Sequence, residues 1–295
     1  MEIKRGAIYA SIDWFQAVFY NVDFSFIYHG YLGLPSVPFD DPAVVSAVER
    51  RMGYDTQVGF TYNGISVTTR KDWFLDVPED GEVFHTVFKQ VQFMISGDGM
   101  RFLRHLNPNI DQDLRSATCV DDSGTPMFHV TRCDFAYDFF NYKPEFLDQC
   151  IAYLHELDYN RCNTVALAFG DRPSRFSVRT GDQRTVYVGS PRSNKMLRIY
   201  DKLMERGGIS PEDLPFSKDD VDNVQDIDTW FRIEMQCRND YAVNMLYGYE
   251  YPVQRLRAIY DMFAFVDKDR VVKDFWRNLF EWETINVIIQ NANFV

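Results

Sequence analysis

No apolar run in this sequence approaches the roughly 20 residues that a helix needs to cross a bilayer, so it does not read as a helical membrane protein. The opening MEIKRGAIYASIDWF lacks a continuous apolar core behind its basic residues and does not read as a secretory signal. Cysteine is scarce and scattered, at positions 119, 133, 150, 162 and 237, with no CxxC pair. That excludes a disulfide framework or a thiolate zinc site and predicts reduced core thiols in a cytoplasmic protein. The five histidines (His29, His85, His105, His129, His155) form neither H-x-H nor HExxH, which excludes metal centres built on paired imidazoles. No phosphate-binding GxxxxGK[ST] loop occurs, so ATP hydrolysis is not expected. Internal repeats and low-complexity segments are also missing.

Positive charge is short overall. Lys and Arg number 31 against 43 Asp and Glu, for a net charge of −12. What is there is unevenly placed. Residues 160–206 hold ten Arg or Lys and four Asp or Glu, a net of +6 that leaves −18 for the rest. The next segment, 207–228, holds seven acids and one Lys. A basic pool of this kind is the footprint of a polyanion, and its local density counts for more than the sum. With 46% hydrophobic and 16% aromatic residues, the chain can bury a substantial core.

The order of elements points to α+β, with a largely antiparallel central sheet and flanking helices. IYASIDWFQAVFYNV alternates as a strand. Pro42–Gly53 (PAVVSAVERRMG) reads as a helix, with Asp41 as N-cap and Gly53 as stop. Asn63-Gly64 between two β-rich runs predicts a hairpin. VFKQVQFMISGDGMRFL reads as a strand entering a turn at Gly97 and Gly99, where Arg101 could approach a phosphate. FHVTRCDFAYDFF is a strand and PEFLDQCIAYLHEL a helix. NTVALAFG, FSVRT, RTVYVGS, KMLRIYD and TWFRIEMQCR read as strands, with a polar, turn-rich insertion at 207–228. From Asp240 the pattern is helical, and Trp276 and Phe280 lie one turn apart on what reads as a core helix. Residues 1–240 are expected to form one domain, with 241–295 as a helical segment packed on it.

Three strands carry the candidate chemistry. Side chains alternate across a strand, so Arg132, Asp134, Ala136 and Asp138 share one face of TRCDFAYDFF, and Cys133, Phe135, Tyr137 and Phe139 share the other. In FRIEMQCR, Arg232, Glu234, Gln236 and Arg238 form a polar face. In KMLRIYD, Met196, Arg198 and Tyr200 fall together. Carboxylates on such faces are hard oxygen ligands of the kind that bind Mg²⁺ or Mn²⁺, or else partners of Arg132 and Arg232. Guanidinium groups there suit phosphate oxygens. A tyrosine among Lys195, Arg198 and Lys202 makes chemical sense as a phosphodiester nucleophile, because nearby cations favour the phenolate and neutralise the phosphate under attack. Packing under the sheet is the other role open to it.

The segment YVGSPRSNKMLRIYDKLMERG resembles the signature of the rolling-circle replication initiation factors, the Rep_trans family. Gly189, Ser190, Ser193, Arg198, Ile199, Tyr200, Lys202 and Glu205 stand at its pattern positions. IDWF (12–15), ISGDGMRF (95–102), VTRCDFAYD and FRIEMQCR resemble further family segments in family order, from about residue 12 to 240. The resemblance implies an enzyme whose Tyr200 nicks one DNA strand at an origin, forming a 5′-phosphotyrosine and freeing a 3′-OH. It implies Mg²⁺ or Mn²⁺ held by Asp134 and Glu234, with Asp138 or Glu205 completing the set. Arg192, Lys195, Arg198, Lys202, Arg132 and Arg232 would hold DNA phosphates. The implied partners are origin DNA, single-stranded or as an extruded hairpin, a host helicase, and a second copy in a homodimer. The family also includes conjugative-element relaxases of the same chemistry. A non-catalytic relative that binds DNA or a replisome protein is the alternative that the acidic surface keeps open.

Overall fold

The structure is a computed structural model and describes residues 7–34, 46–52, 55–79, 81–116, 127–141, 148, 178–180, 185–188, 192–208, 214 and 227–247. The expected helix at PEFLDQCIAYLHEL, the NTVALAFG strand, nearly all of the acidic insertion and the C-terminal segment from residue 248 fall outside these apart from single positions. The chain divides into two compact units, Asp13–Leu106 with Ala117–Cys133, and Met1–Ile12 with Asn107–Ser116 and Asp134–Val295. Two long strands, β1 (Ala7–Val22) and β7 (Phe128–Phe140), are shared between them.

In the first unit, β2 (Ser46–Met52), β3 (Asp55–Tyr62), β4 (Ile65–Arg70) and β6 (Val87–Ile95) join β1 in the order β2-β3-β4-β6-β1, every pairing antiparallel. β5 (Phe74–Asp76) pairs with β6. The predicted alternation of β1 holds, for Phe15, Ala17 and Phe19 are buried. Phe19 sits at the centre of an aromatic core, 5.0 Å from Tyr31, 5.3 Å from Phe128 and 5.7 Å from Phe93 between ring centroids. Full burial of each such ring stabilises the fold by about 1.5–3 kcal/mol. Asn63 (φ 43°) and Gly64 (φ 77°) make the expected hairpin turn between β3 and β4, with both central residues at positive φ.

Two expectations are overturned in this unit. Within the segment expected as a helix, Ser46–Met52 is β2. The next strand offers it a full-length partner, in register from Ser46↔Thr61 to Met52↔Asp55, and tertiary pairing outweighs the local helical pattern. Exposed Glu49 and Arg50, with Glu49 ion-paired to Lys71, keep this outer strand charged. The second correction concerns Gly97 and Gly99, which open a helix, α1 (Gly97–Leu106), and do not form a turn. Ser96 Oγ accepts from the Gly99 amide at 3.3 Å as an N-cap. Glycine is required there for contact: a Cβ on Gly99 would lie 2.7 Å from the Gly64 carbonyl oxygen.

In the second unit the order is β7-β11-β10-β9-β8, with β8 (Val178–Thr180), β9 (Val186–Val188), β10 (Lys195–Asp201) and β11 (Trp230–Arg238). The β8–β9, β9–β10 and β10–β11 pairings are antiparallel, as expected for an α+β chain. Among the described residues three helices accompany them, α2 (Ile110–Ser116), α3 (Lys202–Arg206) and α4 (Asn239–Tyr247). Both α3 and α4 pack on β11. Phe135, Tyr137, Phe139, Ile233, Met235 and Cys237 are buried on the apolar faces of β7 and β11. Cys133 and Cys237 are buried and in no disulfide, as predicted. The polar faces of β7 and β11 carry buried side chains too, Asp134, Asp138, Arg232, Glu234 and Gln236. Among the described residues no helix is long and apolar enough to cross a membrane.

Candidate active site

The buried polar face owes its geometry to the β10–β11 register. Arg198 stands opposite Glu234, and Tyr200 opposite Arg232. Side chains at paired positions project from the same face, so an Arg-x-Tyr on one strand meets an Arg-x-Glu on the next. β9 adds Tyr187, which is opposite Arg198.

At the end of β10 the chain turns sharply. Asp201 caps α3 by accepting from the Met204 amide at 2.9 Å, and Gly207 ends the helix at φ 73°. The turn brings Lys202 back over the strand it has just left, with Nζ 5.3 Å from the centre of the Tyr200 ring. Arg198 lies over the same ring at 4.5 Å.

Glu234, Arg198 and Lys202 converge on one phenol. Tyr200 is 1% exposed. Its hydroxyl donates to Glu234 Oε2 at 3.1 Å and accepts from Arg198 Nη2 at 3.2 Å. Lys202 Nζ approaches it at 3.5 Å, the outer limit of a hydrogen bond. Arg198 Nη2 is also 2.5 Å from Glu234 Oε2, and Lys202 is ion-paired to Glu205. Burial alone would lower the Arg198 pKa. The Glu234 carboxylate and the Tyr200 hydroxyl outweigh it and hold the guanidinium above its ordinary value, so Arg198 is a permanent cation here. The phenol therefore has a proton acceptor on one side and two cations on the others. Tyr28 has a different setting. Its hydroxyl donates to the Phe60 and Ile65 carbonyls, and burial raises its pKa.

The remaining site candidates are placed elsewhere. Arg232 and Asp138 satisfy each other through a bidentate pair, Nε–Oδ1 2.7 Å and Nη2–Oδ2 2.9 Å. Trp230 Nε1 donates to the same Oδ1 at 2.5 Å. Both Asp138 oxygens thus face the Arg232 guanidinium, and Arg232 faces a carboxylate. Trp230, which closes this pair, carried no sequence signal beyond its place in the strand. Arg132 lies in the other unit, 4.5 Å over the Trp14 ring. Arg192 is exposed just before β10, and Lys195 opens that strand.

Three of the four acids expected to hold Mg²⁺ or Mn²⁺ face cations of the chain in this arrangement. Among the described residues, no three His, Cys, Asp or Glu side chains gather to bind one. Glu234 faces Arg198 and Tyr200, Asp138 faces Arg232, and Glu205 faces Lys202. A guanidinium 2.5 Å from Glu234 already supplies the positive charge that an ion would bring. Asp134 is buried on β7, on the face of Asp138 by alternation.

Residues 128–292, more than half of the chain, match the replication initiation factor (Rep_trans) family. The chain belongs to that family. The matched span includes β7, β10 and β11, the three strands that build the buried polar face of this initiation factor. Among solved structures, a rolling circle replication initiator protein from Geobacillus stearothermophilus is similar, with 16% identity, 97% of each chain covered and a TM-score of 0.48. No curated protein matches the chain.

Proposed function

We propose that this replication initiation factor is a DNA nicking–joining enzyme that starts rolling-circle replication with Tyr200 as its nucleophile. The observation that carries the reading is the Tyr200 hydroxyl held between Glu234, Arg198 and Lys202. In the nicking step the phenol oxygen bonds to a backbone phosphorus of origin DNA as its proton passes to Glu234 Oε2. The P–O3′ bond breaks, and the departing 3′ oxygen takes up a proton from water. The products are a 5′-phosphotyrosine and a free 3′-OH. Energy of the broken ester is kept in the tyrosyl phosphate, so a later 3′-OH can reverse the step and rejoin the strand.

Arg198 and Lys202 supply the charge that the pentacoordinate phosphate develops. Fixed cations in a dry site are effective at this because they need little reorganisation during the reaction. Arg198 is the more exposed of the two, with 29% of its side chain accessible, so an entering phosphate meets it first and competes with Glu234 for it. A shift of Arg198 from carboxylate to phosphate frees Glu234 to receive the phenolic proton.

The test is incubation of the full chain with supercoiled DNA carrying its replicon's origin, with Mg²⁺ or Mn²⁺, followed by a denaturing gel. A covalent protein–DNA adduct at the 5′ side of one nick is expected. Absence of any adduct would overturn the nicking role and favour a binding-only relative.

A further inference from the structure

We propose that β5 and the loop returning it to β6 form a docking edge for a protein partner, one that lays down an extended segment of apolar and basic residues. The starting observation is an anomaly of burial. Phe74 is 55% exposed, Leu75 49% and Val77 47%, and Val83 in the same loop is 44% exposed. Neighbouring residues of a strand point to opposite faces. Exposure of both Phe74 and Leu75 therefore means that neither face of β5 is covered. Single exposed apolar residues are ordinary, whereas a contiguous set of this kind marks an interaction site.

The edge is open as well. Among the described residues β5 pairs with β6 alone. A strand with an unpaired side offers backbone donors and acceptors to an added strand. Of its three residues, Phe74, Leu75 and Asp76, only the last is charged, and no Lys or Pro blocks the edge.

Charge selects the occupant. Residues 72–85 hold five acids, Asp72, Asp76, Glu79, Asp80 and Glu82, and no Lys or Arg. The preceding cations are already engaged, Arg70 with Asp55 and Asp72, and Lys71 with Glu49. DNA is repelled by such a surface. A second copy of the chain, pairing β5 with β5, would set acid against acid. A protein segment that alternates apolar with Lys or Arg side chains satisfies the apolar surface, the open edge and the charge together.

The probe is a fluorescein-labelled peptide of alternating Lys and Val, titrated with the full chain by fluorescence anisotropy beside its counterpart of alternating Glu and Val. Saturable binding of the basic peptide is expected, with little binding of the acidic one. Phe74→Ser with Leu75→Ser should weaken it by about tenfold or more. Because that pair could disturb β5, Asp76→Lys with Glu79→Lys keeps the apolar surface and should shift preference to the acidic peptide. No binding, equal binding of both peptides, or unchanged binding by both variants would overturn the proposal. Concentration-dependent dimerisation lost in the Phe74/Leu75 variant, or loss of DNA binding in it, would overturn it in favour of self-association or a DNA contact. None of these residues belongs to the Tyr200 site, so nicking by the variants separates failure here from failure of the nicking role.

Discussion

Arg198 stands directly opposite Glu234 in the β10–β11 register, its guanidinium 2.5 Å from the carboxylate. The two groups also share a third partner, because each is within hydrogen-bond reach of the Tyr200 hydroxyl. An ion pair alone would read as a buried structural feature. An ion pair spanning a phenol that also has Lys202 beside it places an acceptor and two cations around one oxygen atom, which is what the proposed nucleophile needs.

Replacing Tyr200 by Phe removes that oxygen and leaves the cations in place. Covalent adduct formation should be abolished with binding of origin DNA retained, as read by denaturing gel and by mobility shift. Persistence of an adduct in the Phe variant would move the nucleophile to Tyr187, the tyrosine opposite Arg198 on β9.

Glu234→Gln keeps the side-chain shape and removes the proton acceptor. The single-turnover nicking rate should fall by about 100-fold or more, the range of general base catalysis. Mn²⁺ titration calorimetry on Glu234→Gln and Asp134→Ala supplies the second readout. A loss of Mn²⁺ binding in both variants would restore these acids to the role of metal ligands.

Arg232 and Asp138 are expected to act on stability and not on chemistry. Asp138→Ala strands a buried guanidinium and should cost about 3–5 kcal/mol of unfolding free energy, measured by urea denaturation. A variant of normal stability that has lost nicking would contradict this and return Asp138 to the catalytic group.

Gly64→Ala tests the close approach that seats α1. A Cβ at this position would lie 2.5 Å from the Gly99 amide nitrogen, and the residue has φ 77°. Destabilisation of about 1–3 kcal/mol is expected from the left-handed backbone alone, with overlap adding to it. A variant as stable as the parent in thermal denaturation would show that the hairpin and helix separate readily.

Arg192 is exposed just before β10, so it is a suitable cation with which to test the basic pool as a DNA contact. Each phosphate neutralised on duplex DNA contributes about −0.9 to the slope of log K against log salt. Arg192→Ala should flatten the slope by about that amount, with nicking chemistry on saturating DNA unchanged. An unaltered slope would place the DNA path away from this loop.

Much of this was legible in the residues themselves. Alternation along FHVTRCDFAYDFF, KMLRIYD and TWFRIEMQCR placed Asp134, Asp138, Arg198, Tyr200, Arg232 and Glu234 on polar faces, because a strand has a period of two wherever it lies. Asn63-Gly64 announced its turn for a similarly local reason, the ease with which both residues take positive φ. The outcome for Ser46–Met52 was decided elsewhere, by seven paired positions on β3 that a local helical pattern cannot foresee. Gly97 and Gly99 looked like turn residues until their contact partner, Gly64, was in view.

The division of labour among the charged residues was likewise tertiary. Arg232 and Arg198 each stand two positions from an acidic or aromatic neighbour on strands of similar pattern, and sequence gives no reason to treat them differently. Register does: Arg198 is set beside Glu234 and Tyr200, while Arg232 is drawn into a bidentate pair with Asp138 on the opposite neighbouring strand. Composition and alternation settle which side chains share a face, since these are properties of the chain alone. Which carboxylate neutralises which cation, and so which tyrosine is left between them, depends on the alignment of strands far apart in sequence.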